Sequence, residues 1–418
     1  MSDQYDVAII GSRVAGATLA MLLARKGLKT VVVDKATFPS NKAPCTHTNP
    51  AGAVETVKRI GLYEPFIKAG ADPVKRVDFM LPKGRYSGEI RTDGVPTPGM
   101  QLRRITMDNI IVQHARAAGA EVREAFVVRD LIKDQSGKVL GFTGQQQSGG
   151  PVQQIRARLT VAADGKRSIF GNESSFVKSW PCNRFYYYRY YEPGTPIEPI
   201  IWCWDDDPDI VCIGPVGEGL FLGMVAPHMS KFDDFVVDLE DNFDTWMRSK
   251  TILRDIIDSA KPVSRIWGRG NLKNTYRDPI CNGLVLLGDA GLDIDPLAAQ
   301  GVGWAFISAE ILADVLGKCF TKDDLSAKAL AEFRVRRDAR LLENFKYFSI
   351  ISLTKKRSPQ EQEFMDRAIE DRDLASDLAG IWHLTVAPSK VFGAERFEVP
   401  IEKWETEKPL DYATAVNT

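Results

Sequence analysis

The chain of 418 residues carries almost no surplus charge, with 54 Lys and Arg against 55 Asp and Glu. That balance gives no electrostatic basis for a nucleic-acid partner or an anionic membrane surface. No apolar run approaches the ~20 residues needed to cross a bilayer, so no membrane span is expected. No basic segment, apolar segment and cleavage site precede the first strand, so no signal peptide is read. Histidine is scarce, at four residues, and the six cysteines (Cys45, Cys182, Cys203, Cys212, Cys281, Cys319) are scattered. Neither C-x-x-C nor a metal-ligand spacing occurs among them. Free thiols in a reducing cytoplasm are expected, and no metal. No internal repeat, G-x-x-x-x-G-K phosphate loop or readable Ser-His-Asp arrangement is present.

What is present is ordinary for a soluble globular protein, 44% apolar and 26% charged. The length suffices for more than one domain. "DVAII" is a buried-strand run, "GSRVAG" a turn, and "ATLAMLLARKG" a helix closed near Gly27. "KTVVVD" is a second buried strand ending in Asp34, 23 positions after Gly11. This is a βαβ unit with an acidic residue about where a ribose-binding carboxylate belongs. Gly11 permits the tight turn, Gly16 lets the helix pack on the strand, and Ala15 sits between. The helix N-terminus offers free N–H groups to a pyrophosphate. The middle glycine of G-x-G-x-x-G is Arg13. Its guanidinium either bonds phosphate oxygens or is a solvated surface charge.

Two later segments complete a pattern. "RLTVAADGKRS" is a buried strand ending in Asp164 and Gly165. "NGLVLLGDAGLDIDPLAAQGVGWAF" has a strand, the pair Gly288-Asp289, a loop with Pro296, and a helix opening at "QGVG". With the first turn, this trio resembles the FAD-dependent monooxygenases of the p-hydroxybenzoate hydroxylase type. "GSRVAG", "PSNKAPCTHTNPAGAVETVKRIGLYE" and "LAGIWHLTVAPSKVF" resemble a subgroup with a G-x-R-x-x-G turn. The resemblance implies an α/β fold with a Rossmann-like FAD-binding domain (GR2-type), an interleaved antiparallel-sheet substrate domain and a helical C-terminus. It implies that Asp34 and the neighbouring Lys35 meet the adenosine ribose, and that Asp289 meets the ribityl chain or approaches the pyrophosphate. Pro296 would sit beside the reactive edge of the flavin. Gly301, Val302 and Gly303 would present N–H groups to its pyrimidine side. An arginine before the helix that runs from Met107 would touch FAD, Arg104 by spacing or else Arg103. Asp164 and Gly165 would support both the FAD pyrophosphate and the nicotinamide cofactor, or only end a strand. His47 would be a polar group near flavin or substrate, a proton shuttle or orienter. A covalent tether to His47 or Cys45 is the less favoured alternative. The loop histidine of "GDAAH" is absent here, where the chain reads "GDAGLD".

Residues 1–70, 98–175 and 275–355 are expected to form the FAD-binding domain, 71–97 and 176–274 the substrate domain, and 356–418 a C-terminal helical segment. "RFYYYRYYE" and "IEPIIWCWDDD" read as strands. Tyr188, Tyr190, Trp202 and Trp204 are the candidate substrate residues, unless they are plain sheet core. The expected function is NAD(P)H-dependent and O2-dependent hydroxylation or epoxidation of an apolar or aromatic molecule, such as a phenol or polyketide of secondary metabolism. In the family this proceeds through a flavin C4a-hydroperoxide. No second dinucleotide turn exists, so NADPH or NADH would bind transiently or a flavin reductase would deliver electrons. A prenyl-chain reductase, a halogenase and a flavin-free binding protein are the alternatives.

Overall fold

The run QYDVAII forms the strand Gln4–Ile10 at the middle of a largely parallel sheet. The sheet runs Glu121–Arg123, Thr30–Val33, Gln4–Ile10, Gln153–Ala162, Val139–Gln146, Phe126–Lys133. The short strand Leu284–Leu286 lies parallel to the C-terminal half of Gln153–Ala162. This computed structural model describes residues 4–40, 47–353 and 356–406. Alternation explains why the first strand is apolar throughout. Val7 and Ile9 enter one core, and Ala8 and Ile10 enter another on the opposite face. Each fully buried Val or Ile side chain contributes roughly 1.5–3 kcal/mol. The helices Val14–Arg25, Arg104–Ala117 and Gly301–Thr321 pack on the first of these faces. "GQQQSGGPVQQ" connects two antiparallel strands, as a hairpin loop does.

A second sheet contains Tyr186–Glu192, Leu220–Ala226, Ile210–Gly217, Ile201–Asp205, Arg76–Leu81 and Gly84–Glu89, in that order. It is antiparallel except where Ile201–Asp205 runs parallel to Arg76–Leu81. These two strands come from distant parts of the chain, so no hairpin dictates their direction. The inner face of the sheet belongs to the same core as the FAD-side helices. Its outer face is covered by Phe232–Val237, Leu239–Met247 and Thr251–Ser259, short amphipathic helices that the strand pattern does not announce.

The C-terminal part is helical: Ala327–Ser352, Pro359–Arg367 and Arg372–Trp382. The last of these lies against Gly84–Glu89. A side chain at Gly88 would sit 2.4 Å from both the Ala375 carbonyl oxygen and the Ala379 Cβ. No described helix is long and apolar enough to cross a membrane.

Candidate flavin and substrate site

The first turn is built around Gly11, whose φ of 96° lies in the left-handed region. A Cβ there would lie 2.4 Å from the Ala163 carbonyl oxygen. The turn is thus pressed against the end of the strand that carries Asp164. Ala15 is buried, and its Cβ would be 3.0 Å from one placed at Gly288. Two of the three motif loops therefore touch directly. The N-terminus of the helix Val14–Arg25 has no acidic residue in its first turn and no side-chain cap. Its N–H groups and dipole remain available to an anion.

Arg13 is neither a bare surface charge nor open to phosphate alone. Its Nη1 bonds Asp108 Oδ2 at 2.7 Å and its Nη2 donates to Ser40 Oγ at 3.1 Å. Arg104 grips the same carboxylate through Nε at 2.8 Å and Nη2 at 3.1 Å. Asp108 is fully buried. One carboxylate thus braces two guanidinium groups beside a helix N-terminus, leaving one net positive charge there. The Arg104–Asp108 contact is an i,i+4 pair that sequence spacing could have revealed.

Asp34 accepts N–H bonds from Ser12 and Ala36, both at 2.8 Å. Each carboxylate oxygen keeps a lone pair for a further donor. Lys35 is exposed at the rim. Asp164 accepts from the Ile169 N–H at 3.1 Å, while its buried Oδ1 has no hydrogen-bond partner. Burial pushes its carboxyl up. Gly165 follows in the turn. Asp289, after Gly288, is half-buried and forms no hydrogen bond or ion pair with a described residue. Burial pushes its carboxyl up, against the pull of Lys166, Arg104 and Arg269.

The helix Gly301–Thr321 opens at Gly301, Val302 and Gly303 with no side-chain cap. A Cβ at Gly303 would lie 2.7 Å from the Pro50 ring, so glycine lets the helix end meet the loop that follows His47. The Gln300 side chain turns away from this N-terminus. It donates to the Ile381 and Trp382 carbonyl oxygens at 2.8 and 3.0 Å, tying the loop to the C-terminal helices. Ala299, just before it, holds a φ of 52°, and His47 holds 65°. Such strained positions cluster at functional sites.

His47 is buried. It accepts the Arg104 backbone N–H on Nδ1 at 3.0 Å. Its Nε2 lies 2.5 Å from the Tyr190 hydroxyl. The Nδ1 bond places the proton of the neutral ring on Nε2, which donates to Tyr190. Burial, with Arg104 and Arg103 nearby, pushes the imidazole down to about 3. Cys45 lies outside the described residues.

A cavity of about 70 Å3 lies between this loop and the second sheet. Pro296, Leu297 and Ala299 form one wall, and Trp382 and His383 another. The sheet contributes Ile201, Cys203, Leu222 and Met224 among others. The lining is chiefly apolar. Among the described lining residues its one carboxylate, Asp205, is already bonded to Arg357. Trp202 and Trp204, expected beside the substrate, do not line the cavity. Strand alternation sends Ile201, Cys203 and Asp205 inward and the tryptophans into the outer core with Phe235 and Phe243. Tyr188 and Tyr190 do face the inner core, stacked edge to face at 5.7 Å, but neither is on the cavity wall. His383, which the sequence did not single out, is on it. Burial pushes its imidazole down to about 3.

The residues fit FAD. Beyond the glycine cradle, several fully buried polar atoms near the motif loops have no hydrogen-bond partner: Ser12 Oγ, both amide atoms of Asn49, and Gln101 Oε1. Buried polar groups are normally satisfied, so such a group of orphans marks a place for a polar ligand.

This fold and this set of loops define the scaffold of an FAD-dependent oxidoreductase. Residues 4–184 match the model of the FAD binding domain family. Along its length the chain is similar to a digeranylgeranylglycerophospholipid reductase of Methanopyrus kandleri, 25% identical over 388 residues, covering 89% of this chain and 92% of that one. Its fold is that of a flavin-dependent brominase, with a TM-score of 0.77 at 19% identity, covering 93% and 95% of the two chains. It is also that of a probable FAD-dependent monooxygenase from Pseudomonas aeruginosa, with a TM-score of 0.68 at 17% identity, covering 91% and 100%.

Proposed function

We propose that the protein is an FAD-dependent monooxygenase that inserts oxygen into an uncharged, apolar small molecule held in the cavity beside Pro296. The observation that carries this reading is the character of the cavity. It is lined mainly by carbon, and the one carboxylate among its described lining residues is paired. Bound FAD would supply two-electron reduction by NADH or NADPH and the activation of O2.

The chain's own work is then positioning and the exclusion of water. Arg13 and Arg104, braced by Asp108, hold positive charge against the pyrophosphate. Asp34 takes the ribose hydroxyls and Asp289 the ribityl chain. The uncapped N-terminus at Gly301–Gly303 favours negative charge on the pyrimidine side of the ring, where reduction places it. Pro296 and Ala299 shape the edge at which substrate meets the ring. His47, neutral at physiological pH, orients Tyr190 through its Nε2 proton rather than acting as a charged acid. With one dinucleotide turn, the nicotinamide co-substrate binds transiently or a flavin reductase supplies the electrons.

A second reading is reduction of a carbon–carbon double bond in a prenyl chain. The name of the Methanopyrus kandleri relative and its coverage favour it. The apolar character of the cavity lining suits such a chain. Halogenation is a third reading, supported by the fold shared with the flavin-dependent brominase. The deciding experiment is to reconstitute the protein with FAD, add NAD(P)H, and follow O2 with a phenolic or a polyprenyl substrate present. Substrate-dependent O2 consumption with an oxygenated product is expected. Anaerobic loss of the substrate's double bond, with no oxygenated product in air, would replace monooxygenation with reduction.

A further inference from the structure

Cys203 and Cys212 face each other across the antiparallel strands Ile201–Asp205 and Ile210–Gly217, as a direct cross-strand pair. Their sulfur atoms lie 2.8 Å apart, and both thiols are free and buried. That separation is closer than two sulfur atoms in simple contact. Little rotation is needed to reach the ~2.05 Å of a disulfide bond. Both residues are also on the wall of the cavity that contains Pro296. Among the described cysteines, no other pair shares a hydrogen bond. The two are therefore juxtaposed with each other and with the space where oxygen chemistry would take place.

We infer that Cys203 and Cys212 form a redox-active pair on the cavity wall, converted to a disulfide by hydrogen peroxide and returned to thiols by a dithiol reductant. Placing the peroxide source in the cavity rests on the flavin reading above, since reduced flavin that meets O2 without productive substrate releases hydrogen peroxide. The pair itself does not depend on that reading. One thiol sulfur attacks the peroxide O–O bond. An S–O bond forms, the O–O bond breaks, and the departing hydroxide takes the thiol proton and leaves as water. The second sulfur then displaces hydroxide from the sulfenic acid. The S–S bond forms and a second water leaves. Two thiols lose two electrons and two protons, and the peroxide is reduced to two waters.

The surroundings set the reaction's selectivity. The hydrogen bond with Cys212, together with burial, raises the Cys203 thiol well above its ordinary value. The raised thiol slows the first attack on peroxide, burial keeps bulky oxidants and exposed partners away, and the immediate neighbour captures the sulfenic acid before further oxidation. The linked state ties together two strands of the cavity wall. Reversible pairs of this kind occur in otherwise reducing compartments as sensors.

The test is peptide mapping of the full chain after hydrogen peroxide treatment, with alkylation of remaining thiols under denaturing conditions. The expected result is one cross-linked species joining the Cys203 and Cys212 peptides, two thiols lost per chain, and both restored by dithiothreitol. The variants Cys203→Ala and Cys212→Ala should each lose that species. The map of the unaltered chain suffices should either variant fold poorly. Retention of both thiols under peroxide, sulfinic or sulfonic acid in place of a bridge, or linkage of either cysteine to Cys45 would overturn the proposal. None of these readouts requires bound flavin, so a chain that fails to bind FAD can still pass or fail this test.

Discussion

Asp289 is a half-buried carboxylate that forms no hydrogen bond with a described residue, next to a turn that Ala15 packs against. Burial raises its carboxyl, so its position costs stability unless a ligand donates to it. We expect Asp289→Ala to fold as well as the unaltered chain and to purify largely without flavin. Absorbance near ~450 nm, the cofactor's own band, against far-UV circular dichroism checks both halves of that statement. His47 and His383 carry a pH prediction. Both imidazoles are pushed down to about 3 in the folded chain. An unfolded imidazole titrates near 6.5, so between these values the unfolded chain binds more protons. The stability they contribute is complete above pH ~6.5 and falls with pH below it, by about 1.4 kcal/mol per unit for each. Asp293, raised to about 7 by burial and by Asp289, works in the opposite direction. Comparison with His383→Gln isolates the part due to His383: the drop in urea midpoint between pH 7.5 and 5.5 should be smaller in the variant, with the share of His47 remaining. An equal acid-induced drop in both proteins would contradict the buried neutral ring. Asp34, Asp164 and Asp289 were legible because each ends a strand of a local motif. His383 was not, because its hydrogen bond to the Ala51 N–H spans 332 residues and no spacing records it.

At the scale of elements, the strand periods were legible and their facing was not. "RFYYYRYYE" and "WCW" alternate as strands must, which separates Tyr186, Tyr188 and Tyr190 from Tyr187 and Tyr191. Nothing in a period of two says which set faces the flavin loops. The three short helices on the outer side decide it, and their apolar residues claim Trp202 and Trp204. Trp204→Phe is therefore expected to lower the thermal midpoint, removing about 1–3 kcal/mol of packing. It should leave flavin affinity and substrate KM unchanged. A KM increase without loss of stability would return this residue to the substrate side. The turn "GSRVAG" shows a similar limit. Its glycines foretold the strand–helix geometry, but the partner of Arg13 came from a helix whose sequence lies far downstream.

The whole molecule is knit so that the parallel sheet and the second sheet are not separable parts. Arg76–Leu81 leaves the first region, joins the second sheet beside Ile201–Asp205, and the chain then returns to Arg104. One continuous core runs from Val7 on the parallel sheet to Leu222 and Met224 on the second. Gln300 ties the flavin-side helix to the carbonyl oxygens of the C-terminal helices, and Trp304 Nε1 donates back to Gln300 at 3.1 Å. Opening either sheet exposes the shared core, so the two should open together. A ligand that binds only the folded chain then stabilises both, by about 2.7 kcal/mol when present at 100 times its Kd. For amides that exchange only on global opening, this is a roughly 100-fold slowing. Hydrogen exchange followed by mass spectrometry should thus show FAD slowing exchange equally in the strands Gln4–Ile10 and Tyr186–Glu192, although only the first borders the dinucleotide turn. Protection confined to Gln4–Ile10 would show two units that unfold apart. The shared core would then be an interface rather than a single cooperative body.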